Sequence, residues 1–102
     1  MKNTYKNLFK STYDLSPVYD SHASFYGKAF VALNPSGDRK VLYSYCSLVA
    51  EVKDGVFIIY SGYSDEWWSV TTRRHIAEFF GQEIGRALKP SEARKMARII
   101  AE

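Results

Sequence analysis

The stretch YSDEWWSVTTRRHIAEFF, residues 63–80, holds most of the side chains in this chain that could recognise a ligand. Tyr63, Trp67, Trp68, Arg73, Arg74 and His75 lie in it, and Tyr60 stands just before it. Guanidinium forks match carboxylates and phosphates, and indole and phenol rings stack on flat ligands or fill pockets in a protein partner. The chemistry implied is capture of an anion or a protein surface. Thr71 or Thr72 is expected to cap a helix here, adding free backbone N–H groups and a positive dipole end. Basic residues in that first turn oppose the dipole, a conflict that a bound anion would relieve. The ordinary alternative pairs Arg74 with Glu78 on the helix surface and Arg73 with Asp65 or Glu66. Trp67 and Trp68 are adjacent, so in extended backbone one points to the core and the other outward.

Catalysis is poorly provided for. A nucleophile needs a base in reach and a group that orients the base. His22 and His75 are far apart in sequence, and Cys46 falls in strand-like sequence where a small core role suits it. There is no G-x-S-x-G, no H-E-x-x-H and no phosphate-binding glycine loop. The expectation is a protein that is not an enzyme and uses no metal and no cofactor. A second set of charges offers nucleic acid as a weaker alternative. Arg94, Lys95 and Arg98, with Arg86 and Lys89, could line one side of the C-terminal helices and touch phosphates. Equally, they could form a solvated helix face.

Charge placement sharpens this. The net charge is +3 over 102 residues, and residues 1–70 balance at seven basic and seven acidic. Residues 71–102 hold seven basic and four acidic, so the whole excess lies there. Hydrophobic content of 46% with 25% charged residues is that of one globular domain spanning 1–102. No apolar run reaches the length of a membrane span, and the first residues lack a secretory signal. One cysteine excludes an internal disulfide. The expected location is the cytoplasm.

The elements that must position these residues follow from periodicity. Tyr5, Leu8 and Phe9 suggest a short helix in 1–13, within an N-terminal arm of residues 1–23 that is otherwise irregular. From residue 24 to 61 the period is two: SFYGKAFVAL, RKVLYSYC, SLVAEV and VFIIYS read as four antiparallel strands. NPSGD supplies one hairpin loop and Asp54-Gly55 another. The second fixes Val52 against Phe57 and Ala50 against Ile59, and puts Leu48 on the same face. From Thr71 the period becomes helical through Leu88, with Gly81 and Gly85 weak points and a kink or an end expected near Gly85, and Pro90 opens a second helix reaching residue 101. The expected fold is α+β, a four-stranded antiparallel meander with the C-terminal helices on one face. Phe30, Leu48, Val52, Phe57, Ile59, Ile76, Phe79, Phe80 and Ile84 form its expected core.

SFYGKAFV, LYSYCSLVAEV and TTRRHIAEFF together resemble a group of small uncharacterised proteins carried by phages and plasmids of Gram-positive bacteria. Their pattern runs S-F-Y-G-K-A, then S-Y-x-T-x-V-A, then T-T-x-R-H-x-x-x-F, and covers about residues 24–80 here. This chain departs from it at Cys46 and Ser47 and around SDEWW, and the helix from Pro90 lies outside it. The resemblance implies a mobile-element accessory protein in the bacterial cytoplasm. It implies a protein that works by binding and inhibiting a host defence protein such as a CRISPR effector, or by sequestering an anionic signalling nucleotide. Monomer and homodimer both stay open.

Overall fold

Asp54 and Gly55 both take positive φ (52° and 78°), as a type I′ hairpin requires, and join Ser47–Lys53 to Val56–Tyr60. The register follows: Val52 faces Phe57 and Ala50 faces Ile59. The computed structural model describes residues 11–19, 28–34, 36, 38–45, 47–60 and 69–100. Its strands are β1 (Ser11–Asp14), β2 (Ala29–Leu33), β3 (Arg39–Ser44), β4 (Ser47–Lys53), β5 (Val56–Tyr60) and β6 (Arg98–Ile100). They form one six-stranded sheet in the order β1-β2-β3-β4-β5-β6. The helices are α1 (Val70–Ile84) and α2 (Pro90–Met96). No helix among the described residues is long and apolar enough to cross a membrane.

The α+β class and the four-stranded antiparallel centre match the expectation, and the sheet gains a strand at each edge. Ser11–Asp14 pairs antiparallel with β2, so the end of the expected N-terminal helix is strand instead. Tyr5, Leu8, Phe9 and the rest of residues 1–10 lie outside the described residues. The second helix stops at Met96, well short of residue 101. Ala97 turns to extended backbone, and Arg98–Ile100 runs parallel to β5, with Ile99 beside Ile59. Paired β-branched residues fit a pleated neighbour better than a helix turn. Parallel pairing needs a long crossover, and α1 with α2 provides it.

The main core lies between sheet and helices. Val31, Leu42, Ala50, Val52 and Ile59 meet Ile76, Phe79 and Phe80. Leu48 is buried on the opposite face, with Val41 and Tyr43. A register shift causes this: Leu42 faces Ala50 but Tyr43 faces Leu48, so Val49 is an extra residue that flips the alternation. Phe30 also lies on that outer face, stacked on Tyr43 at 4.9 Å. Ile84, expected in the core, is 38% exposed. It is the last residue of α1, and Gly85 in left-handed backbone (φ 81°) ends the helix there.

Gly81 has a packing reason. Its carbonyl accepts from both Gly85 N (2.7 Å) and Arg86 N (3.0 Å), so the chain doubles back over it. A Cβ at Gly81 would stand 2.7 Å from the Arg86 carbonyl oxygen. Gly81→Ala gains about 1 kcal/mol of helix propensity and loses roughly 1–3 kcal/mol to overpacking of backbone. The expected net result is a lower urea midpoint; a raised midpoint would show that the turn yields freely.

The β2–β3 loop is organised by Asp38, whose Oδ1 accepts from Ser36 Oγ (2.6 Å) and Asn34 Nδ2 (2.5 Å). The Ser36 hydroxyl, then the Asn34 amide, hold this exposed carboxyl below its usual pKa. The loop's stabilisation is therefore present above the ordinary Asp pKa and is lost as pH falls through the folded value.

Candidate functional site

Ser69 caps α1: its Oγ accepts from Thr72 N (3.3 Å) and its carbonyl from Arg73 N (2.9 Å). The cap lies two to three residues earlier than Thr71 or Thr72. Arg73 and Arg74 consequently fall in the second turn, beyond the free N–H groups, and the expected clash with the dipole is weakened.

Helical spacing from that cap sends Thr72, His75, Ile76 and Phe79 inward and leaves Val70 and Thr71 outside. His75 is 0% exposed. Its Nδ1 meets Ser44 Oγ at 2.8 Å, and Ser44 Oγ meets Thr72 Oγ1 at 3.0 Å. This three-residue network ties α1 to β3 through the sheet–helix interface. The exposed Tyr45 ring lies 5.9 Å from the imidazole. His75 is thus an anchor of the helix, not a surface contact. Ser44 was missed by sequence reasoning, although its signal is there: a polar residue at an inward position of a strand alternating with Leu42. Ser44→Ala breaks both bonds inside the core, at an expected cost of about 1–3 kcal/mol. Urea unfolding checks it, and a double-mutant cycle with Thr72→Val should show coupling of at least about 0.5 kcal/mol.

α2 starts at Pro90, where the missing N–H costs nothing. Lys89 N donates to Glu92 Oε1 (2.9 Å), and this backbone bond, with Arg86 nearby, lowers the Glu92 pKa. The turn lays α2 beside the start of α1. Arg73 and Arg74 on α1 and Arg94 and Lys95 on α2 then line one groove of about 640 Å³. Its apolar surface comes from Val70, Pro90 and Ile99. Sequence reasoning kept the two basic pairs apart; the fold pools them. It had no signal for Ile99, which reaches the groove only because β6 pairs with β5. Arg98 is on β6 and is not among the described residues lining the groove.

Tyr60 is separated from this groove. It packs on the outer sheet face, and its hydroxyl donates to Glu51 Oε1 at 2.9 Å. Tyr63, Trp67 and Trp68 lie outside the described residues. Among the described residues no three His, Cys, Asp or Glu side chains gather as a metal site would need. Chemically the groove can offer guanidinium forks and an ammonium over an apolar surface, a setting for carboxylates or phosphates.

Residues 13–96 match the model of a family described as a family of unknown function, DUF8033. The chain belongs to this family. No curated protein and no solved structure matches it. The DUF8033 match runs from within β1 to the end of α2, so it takes in both basic walls of the groove. Ile99 falls beyond it.

Proposed function

We propose that this DUF8033 protein acts by binding, without catalysis, and that the groove between α1 and α2 receives an anionic surface of its partner. The charge of the groove carries the reading: its described lining residues bring four cations and no anion. Ser44 and His75 have the types of a nucleophile and base, but both are sealed in the core, where no substrate reaches. The partner proposed, from the resemblance to phage and plasmid proteins, is a bacterial defence protein such as a CRISPR effector, met in the cytoplasm of the bacterial host. That part rests on the genomic company of the proteins it resembles.

The test is plasmid interference in cells carrying one defence system at a time. Wild-type protein is expected to relieve interference in at least one system. The variant R73Q/R74Q/R94Q/K95Q, folded by circular dichroism, is expected not to. Interference at full strength in every system with wild-type protein would sink the partner, and relief by the variant would sink the groove. A nucleotide reading loses Tyr60, which faces the other way, and His75, which is buried. A nucleic-acid reading keeps Arg94 and Lys95 but not Arg98 in the groove.

A further inference from the structure

A second hollow of about 310 Å³ adjoins the groove, and Arg74 and Pro90 line both. Lys89 adds a further cation to it, Leu88, Ala77 and Tyr19 add apolar surface, and the buried Glu78 also lines it, its carboxylate accepting from Tyr19 N (2.9 Å) and Gln82 Nε2 (2.6 Å). Together they make a track along the seam of the two helices. It spans both hollows and sets positive charge beside apolar surface. Val70 is 70% exposed and Ile99 44% exposed, so the apolar part is presented to solvent.

Resting on the groove as the binding face, we infer that the track takes an extended peptide segment of a partner protein in which acidic residues alternate with aliphatic ones. Carboxylates match the guanidinium groups of Arg73, Arg74 and Arg94 in bidentate fashion. Aliphatic side chains between them would cover Val70, Pro90 and Ile99, which a phosphate backbone would leave wet. A single-stranded nucleic acid needs rings to stack its bases, and among the described residues lining the track only Tyr19 offers one. A mononucleotide would fill one hollow and leave the other.

The test is fluorescence anisotropy with three labelled probes: a dodecapeptide alternating Glu with Leu, one alternating Glu with Ser, and a dodecamer of deoxythymidylate. The Glu–Leu peptide should bind about tenfold more tightly than the Glu–Ser peptide, as burial of one or two aliphatic groups would give. Val70→Ser should remove most of that advantage by weakening the Glu–Leu peptide far more than the Glu–Ser peptide. Ile99→Ser serves the same purpose if Val70→Ser disturbs the helix start. Arg74→Gln, on the shared wall, should weaken both peptides. Equal binding of the two peptides, or tighter binding of the oligonucleotide, would overturn the peptide assignment while leaving an anion-binding groove. No binding of any probe by folded protein would overturn the groove and the peptide with it.

Discussion

Phe80→Ala should lower folding stability by about 3–5 kcal/mol, the range for deleting a fully buried phenylalanine. Phe80 is fully buried where α1 crosses the sheet. Phe57 of β5 meets it edge-on, with centroids 4.9 Å apart at 78°, and Phe79 lies 5.8 Å away. Alanine would abandon both ring contacts and leave a void that rigid strands cannot close. A domain of this size has only about 5–15 kcal/mol of stability in total. The melting temperature should therefore fall by roughly 15–30 °C. Ile84→Ala supplies the contrast: at 38% exposure and at the helix end, it should cost about 1 kcal/mol or less. Equal effects of the two substitutions would mean that α1 does not pack on the sheet by the face described.

The difference between Phe80 and Ile84 shows where the sequence is legible. Periodicity places both on one helical face, and Ile76, Phe79 and Phe80 are buried as it predicts, whereas Ala77 and Glu78, the latter expected on the helix surface, are buried as well. The stop is set by Gly85 and by the return of Arg86 over Gly81, a contact that apolar spacing does not encode. The same holds in the sheet. Asp54-Gly55 fixes the β4–β5 register because the turn is local, and the observed pairs agree with it. The extra residue at Val49 is not signalled, so Leu48 changes face. The edge strands β1 and β6 are short and owe their form to their neighbours rather than to their own pattern. The candidate site divides similarly. Arg73, Arg74, Arg94 and Lys95 stand out by type alone. That they share one groove depends on the turn at Pro90, and that Tyr60 does not join them depends on which way β5 faces.

The outer face of the sheet carries the second large expected effect. Glu51 is buried there, its carboxylate accepting from Arg39 Nη2 (3.0 Å) and from Tyr60 OH (2.9 Å). Its side chain is only 6% exposed, against 23% for Arg39. Arg39→Leu would strand a carboxylate inside the fold. Losing one partner of a buried ion pair typically costs 3–5 kcal/mol; Arg39 keeps some contact with water, which brings the expectation to about 2–4 kcal/mol. The triple replacement Arg39→Leu, Glu51→Leu and Tyr60→Phe removes the charge pair and its hydroxyl together. It should be about as stable as the wild type, since apolar groups of similar volume often equal or exceed a buried pair. Urea unfolding of both variants separates the outcomes. A harmless Arg39→Leu would mean that water reaches Glu51. A triple variant weaker than Arg39→Leu would mean that the pair stabilises the sheet beyond its cost of burial. The triple variant also bears on the groove. Tyr60 faces away from Arg73 and Arg74, so peptide binding should survive its loss. A loss of binding by a stably folded triple variant would bring Tyr60 back into the site and require the two sheet faces to communicate.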